Sequence, residues 1–533
     1  MEVSPTYDAL NKAWKSTAKI LFGQELGELR DYEDWLKEYV PQPRIETSAL
    51  SKKPVSLAVR GYADDAGFIG FDEIDFSKKF SPLSINEMKD IDGIVEALQE
   101  RFCYTGNIIL GNSKFIENSS NVIDSYFVLN SGIVTDSKYI GYSDIIRKCE
   151  YIFGVHGDAQ SSFTVKSSDD HRGTRCFECY TVIISSDCYY SMRCQDSLEC
   201  MFCFGARSKK YAVGNLELPK AKYLAIKKKL LFEIADILKR DKRIFSLLEI
   251  MQGVGKYPLE IKVQKGPDEE VGDKGPIEKA FSKTTSLILG KKLEPIDSYA
   301  DFLKKNWRQR LVFKSPLSGK RAYLSSYMAN LADLYDIKDR FVTEEEIMAV
   351  GRFNVSEKTA DSLKIDLDFL VKSLHPIAYS AMCDVIGTSR NLIDCAIIGY
   401  AEDCYACDAC VYAKKCGYSF WPRESDHIFG SWCAWDSSFA IKAFHSEKVS
   451  RVFEVDNCKS CADLYFSHNC ENVREGMFCF NVKNLNYSIG NAPLPKDQFG
   501  KFKSSVLEQI CEDLEKKKSV KWDIYNIGGR RKT

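Results

Sequence analysis

Asn121-Val122-Ile123-Asp124-Ser125-Tyr126-Phe127-Val128-Leu129-Asn130-Ser131-Gly132-Ile133-Val134-Thr135-Asp136-Ser137 carries a serine at every sixth position and a branched apolar residue midway between successive serines. Outward from this stretch, the small column extends back to Ser113 and on through Ser143, Cys149, Ser161, Ser167, Gly173 and Cys179 to Cys203. The companion column runs from Ile116 to Ile152, breaks, and resumes with Cys176, Val182, Cys188, Cys194 and Cys200. A short strict period marks strands stacked turn upon turn around one continuous core. Small residues suit the tight part of each turn, and Asn118, Asp124, Asn130 and Asp136 are turn formers that tolerate left-handed backbone. Phe115, Phe127, Tyr139 and Tyr151 recur every twelve residues. That spacing favours a flattened two-strand coil of twelve residues, with eighteen as the alternative.

The pattern is written twice. Asn391-Leu392-Ile393-Asp394-Cys395 repeats Asn121 to Ser125, and Met477-Phe478-Cys479-Phe480 repeats Met201 to Phe204. Flanks repeat as well, since Lys12-Ala13-Trp14 matches Lys279-Ala280-Phe281 and Gly214-Asn215 matches Gly490-Asn491. The predicted fold class is α+β, with two tandem β-solenoid modules of six-residue repeats, each flanked by helical caps. Its expected segments are an N-terminal cap (1–110), a first solenoid (111–214), a helix packing on it (215–255), a linker (256–277), a second helical cap (278–380), a second solenoid (381–490) and a C-terminal helix with basic tail (491–533).

A chain of 533 residues with 44% apolar content is long enough for such cores. Its formal net charge of -1 argues against a whole-molecule electrostatic footprint for nucleic acid or anionic membrane. No basic leader precedes an apolar run, and no stretch of about 18 apolar residues occurs, so a cytoplasmic protein without a membrane partner is expected. Of the 20 cysteines, all but Cys103 and Cys511 fall in the two repeat stretches, and there only Cys433 is off the columns. Cysteine behaves as a small hydrophobe, so an interior thiol ladder is expected.

Candidate chemistry is sparse. Cys404, Cys407, Cys410 and Cys416 have gaps that thiolates use to hold zinc or an iron-sulfur cluster, although the columns produce three-residue offsets by construction. His156 is the best candidate base for a hexapeptide-type acyltransferase, with a surface-loop histidine as the plainer reading. Tyr189, Tyr190, Trp421, Trp432 and Trp435 are candidates for an exposed aromatic ridge, against core packing. Arg530, Arg531 and Lys532 form a basic tail that could touch phosphates.

Asp187-Cys188-Tyr189-Tyr190-Ser191, Cys194-Gln195-Asp196 and Glu199-Cys200-Met201-Phe202-Cys203-Phe204-Gly205, followed by Lys210-Tyr211 and Asn215, resemble runs in uncharacterised cysteine-rich hexad-repeat proteins of small-genome bacteria and viruses. Those proteins carry DCYYS and NCFGC-type repeats, and the second half keeps Cys470, Met477 to Phe480, Tyr487 and Asn491. The resemblance implies the fold and no activity. Many such proteins begin with zinc-ribbon CxxC pairs, which this chain lacks before Cys103. The expected function is a non-enzymatic scaffold or binding protein presenting extended faces to a protein assembly. A metal or iron-sulfur protein and an acyltransferase are the alternatives.

Overall fold

The computed structural model describes residues 4–84, 89–253, 272–307, 309–355, 366–382 and 385–530. The expected linker therefore lies mostly outside the described residues, as does Cys383. The architecture is mixed α+β, with long parallel sheets. Strands between 109 and 217 form a ten-stranded and a six-stranded sheet, and those between 385 and 493 a three-stranded and a twelve-stranded sheet. Partners are offset by twelve residues, as in Val122↔Val134, Ile140↔Ile152 and Val452↔Leu464. The entry pairings, Ile109↔Val122 and Val385↔Ile398, are offset by thirteen, and a short antiparallel strand closes each of the two larger sheets.

Serine occupies its column for a reason beyond size. The Ser131 hydroxyl donates to the Leu129 carbonyl at 2.8 Å and accepts the Ser143 N–H at 3.0 Å. Ser137 does the same for Thr135 and Cys149. Each hydroxyl thus satisfies two buried backbone groups, one of them twelve residues away. Cysteine is an approximate substitute, because the Cys149 thiol donates to Arg147 and accepts the Ser161 N–H at 3.5 Å.

The backbone of these strands departs from simple in-and-out alternation. Every third residue from Phe115 to Gly214 and from Asn391 to Gly490 has positive φ. This includes Phe115, Ile133 and Tyr139 as well as the expected Asn and Asp residues. A left-handed residue before each inward residue resets the alternation, so every third side chain points inward. The left-handed residues form four rows. One, containing Lys166, Glu178 and Tyr190, is buried beneath the flanking segments. A second contacts the other half, as when Asn121 Nδ2 donates to Asn457 Oδ1 at 2.9 Å. A third, with Asp124, Asp136 and Lys148, is mostly solvated, and the fourth contains Arg175, Asp187 and Glu199.

Helix Pro5–Phe22 is capped by Ser4, whose side chain accepts the Tyr7 N–H, and by left-handed Gly23. Its apolar stripe of Leu10, Trp14, Ala18 and Leu21 packs across the first stack, and Gly275–Leu289 takes the corresponding place on the second. The expected helix from Pro219 runs over Lys220–Asp241, followed by a separate turn at Leu247–Gly253. Its counterpart is Lys496–Lys517. No helix among the described residues is long and apolar enough to cross a membrane.

Two buried lysines tie these flanks to the stacks. Lys166 Nζ donates to the Trp35 carbonyl at 2.6 Å, while Glu178, one repeat on, accepts the Leu247 N–H at 3.1 Å. Lys442 donates to the Phe302 carbonyl at 3.3 Å, and Glu454 accepts the Ile524 N–H at 3.1 Å. The same device thus anchors an upstream helical segment and a downstream segment in each half.

Each half also closes the other. The Val355 N–H donates to the Gly214 carbonyl at 2.9 Å, and Arg101 Nη1 to the Gly490 carbonyl at 2.5 Å. A side chain on either glycine would overlap Val355 or Leu98, respectively. Glu344 bridges Arg193 and Arg207, both at 2.8 Å. Across the second contact, the Thr105 N–H donates to His468 Nε2 at 2.9 Å, which leaves Nδ1 to donate to Asp456 at 2.9 Å. His445, Tyr62 and Asn457 also donate to Asp456. Burial alone would raise this carboxyl, but the two histidines hold it well below the usual carboxylate range.

Candidate interaction surface

The fourth left-handed row faces outward and repeats between halves. It reads Arg175, Asp187, Glu199, Tyr211 in the first stack and Arg451, Asp463, Glu475, Tyr487 in the second. Twelve-residue register sets consecutive members about 4.8 Å apart. Opposite charges therefore meet. Arg175 bonds Asp187 at 2.8 and 2.6 Å, and Arg451 bonds Asp463 at 2.8 and 2.5 Å. Hydrogen bonding to these carboxylates raises both guanidinium pKa values. From the downstream helices, Lys227 reaches Glu199 at 2.5 Å and Lys503 reaches Glu475 at 2.7 Å. Each lysine also lies over a tyrosine ring, Tyr189 at 4.9 Å and Tyr465 at 5.2 Å.

Beside the second ledge lies a groove of about 610 Å³, lined by Arg451, Asp463, Asn472, Arg474, Glu475, Asn484, Asn486 and Tyr487. It offers donors and acceptors in comparable number, with most of its charge already paired. This chemistry suits hydrogen bonding to polar protein surface better than condensing on phosphates, which calls for excess positive charge. In the first stack the row begins with Phe115, Phe127, Tyr139, Tyr151 and Phe163. Their ring centroids are 4.7 to 5.2 Å apart, so these aromatics stack mainly on one another.

The residues singled out from sequence go to different places. Cys404, Cys407, Cys410 and Cys416 are buried in the second stack, where their thiols donate to the Glu402, Tyr405, Asp408 and Lys414 carbonyls. Burial pushes the Cys410 and Cys416 thiols up. Among the described residues, no group of three or more His, Cys, Asp or Glu side chains is arranged to hold a metal ion.

Tyr189 and Tyr190 are not surface aromatics. Both are buried, with hydroxyls donating to the Leu21 and Phe245 carbonyls at 3.1 and 2.9 Å. Trp421, Trp432 and Trp435 are half-buried. Trp421 packs edge-on to Trp435, and Trp432 leans on His445. His156 is also not on a surface loop. It lies buried in strand His156–Ala159, with its ring against Tyr327 of the other half. Arg530 is exposed, and Arg531 and Lys532 lie outside the described residues.

Sequence reasoning passed over the Arg–Asp–Glu–Tyr row, although its twelve-residue spacing in both halves was the available signal. Compared with family models, curated proteins and solved structures, the chain matches none, which leaves its own geometry as the ground for a functional reading.

Proposed function

We propose that each stack is a β-solenoid of twelve-residue coils, that the two are tandem modules with helical caps, and that the protein is a non-enzymatic scaffold presenting its outer ledges to a protein partner within a larger assembly. The observation that carries this reading is the ledge itself, with Arg451, Asp463, Glu475 and Lys503 reproducing the arrangement of Arg175, Asp187, Glu199 and Lys227. Such partly exposed polar chemistry, repeated on both stacks, supports recognition along an extended surface. Interior thiols bonded to backbone carbonyls are suited to a reducing compartment, which supports a cytoplasmic location. Kinship with the cysteine-rich hexad-repeat proteins is part of the same proposal.

The test is native isolation of the full chain, alongside a variant carrying Arg474→Glu and Tyr487→Ala. A stoichiometric protein partner lost from the folded variant is the expected outcome. A lone chain, or a partner retained equally by both, would overturn the reading.

A further inference from the structure

The interior of the first stack changes character once. Its companion column is apolar as far as Ile152 and resumes with Cys176, and between them stand Asp158, Thr164 and Asp170. Asp158 and Asp170 are neighbours on one sheet, whereas Thr164 lies on the other, between Ile152 and Cys176. Their residues are 4%, 2% and 0% exposed, in the order Asp158, Asp170, Thr164. Both carboxylate oxygens of Asp158, Oδ2 of Asp170 and the Thr164 hydroxyl have no hydrogen-bond partner. The other Asp170 oxygen accepts the Val182 N–H at 3.1 Å. Gly173 borders the same space, where a Cβ would come within 3.2 Å of Cys176 Sγ and 3.6 Å of Ser161 Oγ.

The second stack supplies an internal comparison. Its corresponding residues are Ala434, Ala440 and Ser446, with Val449 in place of Gly173. Ala434 pairs with Ser446, and Ala440 with Val452, in the same twelve-residue register. The backbone therefore forms without carboxylates at these positions. Buried acceptors with no donor are costly, and a second carboxylate one strand away adds like-charge repulsion.

We propose that Asp158, Thr164 and Asp170 form an internal site for one divalent cation of the calcium class. Two carboxylates balance its charge, and the unpartnered groups supply hard oxygen donors. Calcium accepts irregular oxygen sets, whereas magnesium sheds its water reluctantly and demands a near-ideal octahedron. Because the site lies inside the stack, binding is coupled to closure of these repeats.

The test refolds the full chain in calcium or in chelator, desalts it, and measures metal content and thermal midpoint. Wild type is expected to retain one calcium per chain and to melt higher with it. A variant carrying Asp158→Ala, Thr164→Ala and Asp170→Ser should fold without calcium and show no response. Thr164→Val alone should weaken retention by roughly tenfold, keeping the test informative if the triple variant fails to fold. Calcium-free wild type with an unchanged midpoint, equal retention by the triple variant, or preferential retention of zinc would overturn the proposal.

Discussion

The Lys442 ammonium stands 3.2 Å from the Glu454 carboxylate, and both side chains are sealed from solvent. Removing one partner leaves the other buried without its counter-charge, which typically costs about 3–5 kcal/mol, whereas replacing both with apolar groups costs much less. Lys442→Met is therefore expected to lower the unfolding free energy by about that amount, with Lys442→Met combined with Glu454→Leu recovering most of the loss. Denaturant titration of the three proteins checks this, and equal losses in the single and double variants would contradict it.

The same carboxylates set a pH dependence. Burial raises Glu454 to about 7 and Glu178 to about 8, against an unfolded value of about 4.3. A raised carboxyl contributes stability that is complete below the unfolded pKa and lost as pH rises through the folded value. Asp456 acts oppositely, since its depressed pKa contributes stability above about 3.9 that is lost on acidification. The denaturation midpoint should therefore be higher at pH 5 than at pH 8, and Glu454→Gln should flatten part of that slope. A midpoint that rises between those pH values, unchanged by Glu454→Gln, would contradict the assignment.

The serine column makes a local prediction. Ser131→Ala removes the acceptor of the Ser143 N–H and the donor to Leu129. An unsatisfied buried group costs about 1–3 kcal/mol. Ser131→Cys should lose less, since Cys149 and Cys179 already serve this column. Hydrogen exchange at the Ser143 amide should accelerate in the alanine variant.

Mutual closure predicts cooperation between halves. Residues 1–253 and 272–533, expressed as two chains, should be unstable separately and co-purify one-to-one when made together. Gly490→Val, which forces a branched side chain into φ of 54° against Leu98, should weaken that complex. Two independently stable, non-associating halves would contradict the reciprocal contact.

Much of the stacking was legible because Ser125, Ser131 and Ser137 mark the interior and Phe127 and Tyr139 mark the twelve-residue step. The left-handed rows were only half legible. Asn118 and Asp124 advertise such backbone, whereas Phe115, Ile133 and Tyr139 rarely adopt it and are held there by the strands on either side. Lys166 and Glu178 look like surface residues until the segments containing Trp35 and Leu247 cover them. Nothing local joins Val355 to Gly214, or Thr105 to His468, because these contacts span segments far apart in the chain. The candidate ledge becomes readable only when the two halves are aligned, since Arg451 and Asp463 are ordinary charges singly and a repeated pair together.

Photo-crosslinking from the ledge is the most direct measurement of the scaffold reading. A benzophenone amino acid replaces Tyr487 beside the groove or, as a comparison, Lys459 on the separate Glu447–Lys459–Glu471 edge. The expected result is one dominant protein adduct from position 487 that is absent from position 459. Equal adducts from both positions, or an adduct with nucleic acid alone, would contradict a protein-binding ledge.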